Sequence, residues 1–160
     1  MMRLPLSSAV SSVTDPLSPE QRSARMRRIP RANTAPEMIV RRLAHHLGYR
    51  YRLHQRALPG TPDLTFPRRK KIIFVHGCFW HRHRECSLAS TPKNNRQFWV
   101  EKFEANVQRD RRKEEALREL GWDVLTIWQC ETRMPFELEQ LLRNFLGPPT
   151  SRARQVDAPT

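Results

Sequence analysis

The segment from His76 to Cys86, His-Gly-Cys-Phe-Trp-His-Arg-His-Arg-Glu-Cys, constrains this chain more than any other. Its eleven residues hold three of the chain's six histidines and two of its three cysteines, beside the Phe79-Trp80 pair. The run just before it, Lys71-Ile72-Ile73-Phe74-Val75, is short, apolar and rich in β-branched and aromatic residues, which predicts a buried strand. Reactive side chains therefore gather where a strand leaves a sheet, a position at which rigid scaffolds hold chemistry.

The flanking sequence supplies the scaffold. Ser18-Pro19-Glu20-Gln21 opens a basic helix carrying Met26 and Ile29, which Pro30 ends; those two apolar residues either tuck against the core or touch a partner. Thr34-Ala35-Pro36-Glu37 is a second capping box, and Ile39, Val40, Leu43, Ala44 and Leu47 follow at helical spacing until Gly48. Tyr49 to Leu53 reads as a strand. After a loop from His54 to Gly60, Pro62-Asp63-Leu64-Thr65-Phe66 forms a short strand that turns back at Pro67-Arg68-Arg69-Lys70 into the one at Lys71. This hairpin brings Asp63 beside the Val75-His76 end.

Gln97 to Leu120 reads as a long helix closed by Gly121, with an apolar stripe through Val100, Phe103, Val107 and Leu117. Asp110 falls on that stripe. A carboxylate there needs a partner, because burying its charge alone is prohibitively costly, so it meets a histidine or a neighbouring arginine. Trp122 to Trp128 is a further buried strand, parallel to the Lys71 strand through the helical crossover. Pro135 to Leu146 is a final amphipathic helix carrying Phe136, Leu138, Leu141, Leu142 and Phe145. The expected fold is α/β, a mixed central sheet flanked by helices. Residues 1–17 are expected to be a disordered extension, residues 18–147 the domain, and residues 148–160 a disordered Pro-rich tail.

Cys78, His83, Cys86 and Cys130 suit a tetrahedral Cys3His zinc site, against the alternative of three buried free thiols. Four protein ligands close the coordination sphere, so such a zinc is structural. An odd cysteine count without a signal-peptide pattern argues against a disulfide framework. His76 and His81 remain, with Asp63 and Asp110, as two imidazoles and two carboxylates around one crevice. That set fits metal-assisted phosphodiester hydrolysis. A formal charge of +13 and a pI near 11.1 point to a polyanionic partner. No apolar run approaches the roughly 20 residues of a membrane span, so no membrane partner is expected. Phe79 and Trp80 are either a core plug or a wedge for unstacking bases.

Gly60-Thr61-Pro62-Asp63, Phe74-Val75-His76-Gly77-Cys78-Phe79-Trp80-His81, Phe98-Trp99, Asn106-Val107-Gln108-Arg109-Asp110-Arg111-Arg112, Leu120-Gly121-Trp122 and Trp128-Gln129-Cys130 together resemble the very short patch repair DNA mismatch endonucleases. The similarity spans roughly Gln21 to Leu146. It implies a restriction-endonuclease-like fold and nicking of one strand 5′ to the thymine of a T·G mismatch made by deamination of 5-methylcytosine. It also implies that Asp63 and the Val75 carbonyl hold Mg2+, and that His81, paired with Asp110, activates water with support from His76 and Glu37. Cys78, His83, Cys86 and Cys130 match the structural Zn2+ ligands. Phe79, Trp80 and Trp99 match residues that enter the stack from the major groove, and Met26 one that enters from the minor groove. The family commonly has one residue between the zinc histidine and the next cysteine; here Arg84 and Glu85 intervene, so the ligand loop must bulge.

The resemblance further implies a monomer acting on duplex DNA in a prokaryotic cytoplasm, at the nucleoid, with a MutL-type repair partner. Two other function classes compete. One is a zinc-bearing DNA-binding module without catalysis; the other is a restriction-type nuclease cutting both strands of normal duplex.

Overall fold

The computed structural model describes residues 32–149, together with Ser18, Gln21 and Pro30. The chain divides into two units, Met1–Arg31 and Ala32–Thr160. In the first, Gln21 N–H donates to Ser18 Oγ at 3.2 Å and Ser18 N–H donates to Gln21 Oε1 at 2.9 Å, the reciprocal bonds of the expected capping box. Met26, Ile29 and the residue 1–17 extension lie outside the described residues. Every element below belongs to the second unit.

Helix α1 (Ala35–His46) starts where the sequence places it: Thr34 and Glu37 exchange side-chain and backbone bonds, and Pro36 lies in the first turn. Strands β1 (Arg52–Leu53), β2 (Leu64–Phe66), β3 (Lys71–His76) and β4 (Asp123–Trp128) form one sheet in the order β1-β2-β3-β4. The β1-β2 and β2-β3 pairs are antiparallel, and β3-β4 is parallel. Between β3 and β4 run the one-turn helix α2 (Cys78–His81) and the long helix α3 (Arg96–Glu119). Helix α4 (Pro135–Leu146) closes the domain, with the bounds its periodicity predicts. This is the expected mixed α/β sheet with helical flanks.

Strand β3 explains how the layers divide. Successive side chains point to opposite faces of a strand, and both faces of β3 are covered. Ile73 packs with α1 and α4 residues, including Val40, Ala44, Leu138, Leu142 and Leu146, and Val75 lies against the same core. Ile72 and Phe74 pack on the other side with Leu117 of α3. Two-sided burial is why the strand reads as a continuous apolar run rather than an alternating one.

Four expectations need correction. Val100 is 39% exposed and Phe136 is 71% exposed, so neither belongs to the core. In helix α3, 24 residues long, the buried residues are Trp99, Phe103 and Leu117, and Val100, one residue after Trp99, turns about 100° away from them. In α4 the buried stripe is Leu138, Leu142 and Leu146, and Phe136 points away from it. The strand expected over Tyr49 to Leu53 is paired only at Arg52–Leu53, because its partner β2 is only three residues long and ends at Phe66, opposite Tyr51. Phe79 and Trp80, expected on an irregular segment, lie on the helical turn α2. No helix among the described residues is long and apolar enough to cross a membrane.

Candidate active site and metal cluster

The cysteines meet as the sequence implies. Ligand atoms of Cys78, His83, Cys86 and Cys130 all lie within 4.8 Å of one another, and all three thiols are free. Cys78 opens α2, fully buried, and Cys130 arrives just past the end of β4. His83 Nδ1 stands 3.7 Å from Cys78 Sγ and 3.2 Å from Cys130 Sγ. The loop does bulge: Glu85 adopts φ 55°, a left-handed conformation that absorbs the extra residue before Cys86. Burial pushes the Cys78 thiol up to about 12. A cluster of three soft sulfurs and one imidazole at this spacing fits zinc, which deprotonates its thiol ligands.

The strand-end residues fall into two groups astride the end of β3. His76 follows the parity of Ile72 and Phe74 and so faces α3, where His81 and Asp110 complete one group. His81 Nδ1–H donates to Asp110 Oδ2 at 2.5 Å, leaving Nε2 as the free lone pair. The His76 and His81 rings stack with centroids 3.9 Å apart. Burial, then the neighbouring His81, lowers His76 to about 3, so it stays neutral against its partner. Burial acts to raise Asp110, but the His81 hydrogen bond, aided by the nearby Lys113 charge, outweighs it and holds the carboxyl below its ordinary value. The expected histidine partner of Asp110 is therefore present.

The second group is Glu37, His54 and Asp63, again within 4.8 Å. Asp63 Oδ2 accepts the Val75 N–H at 2.7 Å, the hairpin contact that the turn at Pro67 to Lys70 predicts. Gly60 lets the preceding loop pass close by: at φ 80°, a Cβ there would lie 3.0 Å from Lys113 Cδ and 3.1 Å from Phe74 Cζ. Glu37, 2% exposed, uses Oε2 to accept the Thr34 N–H, while Oε1 accepts from Arg41 Nη2 and lies 2.8 Å from His54 Nε2. Glu37 is thus more than the helix cap its sequence position explains. Either carboxylate group could hold a hard divalent cation through oxygen.

Burial raises Asp63 to about 6, helped by the Glu37 charge and opposed by the Val75 N–H, His54 and Arg41. The folded state then binds a proton more tightly than the unfolded chain. Stability from this group is fully present below the unfolded value near 3.8 and is lost as pH rises through about 6. Two units correspond to about 3 kcal/mol at neutral pH as an order of magnitude. Asp63→Asn, which keeps an oxygen for the Val75 N–H, should raise the melting temperature at pH 7.5 in metal-free buffer by several degrees and have little effect at pH 4. A melting temperature that falls at pH 7.5 would contradict this account.

Aromatic rings fill the space between α2 and α3. Phe79 packs edge-on against Trp80 at 5.1 Å, Phe103 at 5.1 Å and Trp99 at 5.8 Å. Trp99 and Phe103 are buried, whereas Phe98 is 54% exposed. Lys102 Nζ lies over the Trp80, Phe98 and Trp99 rings at 5.5 to 5.8 Å, and Asn106 Nδ2 donates to the Trp80 carbonyl at 3.2 Å. A chain of rings also links the two ends of the site: His83 stacks on Trp128 at 4.4 Å, Trp128 meets His76 edge-on at 5.6 Å, and His76 stacks on His81. A cavity of about 400 Å³ opens beside His76, His81 and Asp110, rimmed by Arg82, Arg84 and Arg111.

A profile of the DNA mismatch endonuclease Vsr family matches residues 14–88. The chain is 51% identical over 136 residues to the Type II nicking enzyme V.XorIIP of Xanthomonas oryzae pv. oryzae, covering 85% of this chain and 99% of that one. The chain belongs to the Vsr family. It is also 43% identical over 112 residues to the DNA mismatch endonuclease Vsr of Escherichia coli, covering 70% and 71% of the two chains. Against the Type II nicking enzyme V.NmeAIP of Neisseria meningitidis it is 36% identical over 121 residues, covering 76% and 86%. Family-level nuclease, DNA-repair and metal-binding character follows, in keeping with the two kinds of cluster built here.

Two members of the Glu37 pocket carry no sequence-based expectation, Arg41 and His54. Both had a signal. Arg41 stands one helical turn after Glu37, at the spacing where side chains meet. His54 directly follows Leu53, the last paired residue of β1, and Asp63 directly precedes its partner Leu64, so the end of the pairing brings the two residues together.

Proposed function

We propose that this chain is a strand-specific DNA endonuclease that nicks 5′ to the thymine of a T·G mismatch left by deamination of 5-methylcytosine, by Mg2+-dependent hydrolysis. The His81–Asp110 pair, with Asp63 bonded to the Val75 N–H near the end of the same strand, carries the reading. Asp63 and the Val75 carbonyl would hold the Mg2+, which when bound supplies charge stabilisation at the phosphate and lowers the pKa of water. His81 takes the water proton on Nε2, and Asp110 holds the imidazole in that tautomer and offsets the charge it gains. His76, neutral and stacked on His81, keeps the ring in plane, and Glu37 steadies the Asp63 side. The water oxygen bonds to phosphorus as the P–O3′ bond breaks, and the departing 3′ oxygen takes a proton from solvent water, leaving a 3′-hydroxyl and a 5′-phosphate.

Phe79 and Trp80, with Trp99 packed beneath, form the wedge we assign to the disturbed base stack, and Met26 is assigned to the opposite groove. Cys78, His83, Cys86 and Cys130 would hold a structural Zn2+ that steadies this wedge. The formal charge of +13 favours long-range capture of duplex DNA and residence on the nucleoid in a prokaryotic cytoplasm. The same reading takes the chain as a monomer with a MutL-type repair partner.

Paired duplexes differing only in T·G against C·G test the function. Cleavage confined to the thymine strand of the mismatched duplex is expected, in Mg2+ and not in EDTA. Equal cutting of the matched duplex on both strands would identify a restriction-type nuclease instead. Tight binding with no nicking on either would leave a DNA-binding module.

A further inference from the structure

Arg41 is an unusual neighbour for a metal pocket. The residue is only 7% exposed, and its guanidinium is spent on groups of the pocket itself. Nη1 donates to Asn33 Oδ1 at 2.8 Å, and Nε finds no hydrogen-bond partner among the described residues. Nη2 bonds Glu37 Oε1 and lies 3.0 Å from His54 Nε2. A buried cation with an unpaired N–H is costly, and its place needs a reason.

The reason lies in which atoms Arg41 occupies. Glu37 and His54 each offer a ligand atom within 4.8 Å of an Asp63 oxygen, a set that could hold a divalent ion. Glu37 Oε1 and His54 Nε2, only 2.8 Å apart, are both engaged by the one guanidinium nitrogen. The other Glu37 oxygen is tied to the Thr34 N–H at 3.3 Å. The guanidinium thus sits where a cation shared by Glu37 and His54 would sit, and its charge repels any second cation from that half. Among the described residues Asp63 hydrogen-bonds no guanidinium; its Oδ2 is held by the Val75 N–H.

We propose that Arg41 is a built-in cation filling the Glu37–His54 half of the pocket, so that this chain takes one divalent ion, on the Asp63 half. This rests on the reading of Asp63 as a metal-holding residue. Arg41 therefore sets metal stoichiometry without touching DNA. Removing its charge opens a second site of mixed oxygen and nitrogen character, a donor set that accepts Mn2+.

The test is a Mn2+ titration of the zinc-loaded full-length protein, counting free aqueous Mn2+ by electron paramagnetic resonance. Arg41→Gln should bind one more Mn2+ than the unaltered protein, and Arg41→Gln combined with Glu37→Gln should return to the original count. An unchanged count in Arg41→Gln overturns the proposal, as does an extra ion that survives in the double variant. Because Arg41→Gln leaves a buried carboxylate without its cation, its melting temperature supplies a second readout. It should fall in metal-free buffer and recover in Mn2+ by more than the unaltered protein gains, through linkage of binding to folding. Equal gains in the two proteins would also overturn the proposal. Asp63→Asn separates the readings: it should lose the original ion, and retention of that ion would refute the Asp63 assignment whatever Arg41→Gln does.

Discussion

Asp63→Ala should abolish nicking of a T·G duplex while leaving binding to it within a fewfold of normal. The carboxylate lies under the end of β3, held by the Val75 N–H, and none of the aromatic wedge rests on it. Losing the ion it is assigned to hold forfeits charge stabilisation worth several kcal/mol in the transition state. At about 1.4 kcal/mol per decade, the single-turnover rate should drop by at least about a thousandfold. Truncation also leaves the Val75 N–H without its acceptor, so Asp63→Asn is the matched control. It keeps an oxygen for that bond, and should lose nicking as fully. Gel-shift affinity and single-turnover cleavage on one duplex would measure both quantities. Nicking at near-normal rate in either variant would remove Asp63 from the mechanism.

The second large effect concerns the Cys3His cluster. Cys78→Ser should lose stoichiometric zinc, measured by a colorimetric release assay, and melt on the order of 10 °C lower. Structural zinc sites contribute folding free energy outright. Here the segment from Cys78 to Ala89 has only single helical turns at Cys78–His81 and Ser87–Ala89 to organise it. A loss of about 3 kcal/mol would shift the midpoint of a domain this size by roughly that amount. The aromatic wedge rides on the same segment, so mismatch affinity should fall with the metal, unlike in Asp63→Ala. A zinc-free Cys78→Ser protein that melts normally and still binds mismatched duplex would show the cluster to be dispensable.

Much of this site was legible in the sequence because its determinants are local. The Thr34 capping box, the Pro67 to Lys70 turn and the Gly121 stop each follow from a few adjacent residues. Together they fix where Glu37, Asp63 and Asp110 lie. The cysteines were legible for a different reason: three thiols and one donor histidine have few ways to be satisfied together. The pocket around Glu37 was not legible in full. The capping bond already explains Glu37, and the i, i+4 spacing of Arg41 does not by itself say that the pair is buried. His54 depends on the register of a ladder only two residues long at β1, which periodicity does not fix. Phe136 lies two residues before Leu138, on the face opposite the buried Leu138, Leu142 and Leu146, and Val100 was misplaced because apolar character alone does not say which of several helix faces is covered.

The ring sequence from His83 through Trp128 and His76 to His81 joins the Cys/His cluster to the imidazole we assign to water activation by direct contact. Substitutions at Trp128 would therefore register at both ends at once, and the two functions could not drift apart by independent changes on this path. Its indole, touching a zinc-cluster histidine on one side and His76 on the other, is also a native optical probe. With Trp80, Trp99 and Trp122 replaced by phenylalanine, its emission would follow metal release and disturbance of the His76–His81 pair without any added label.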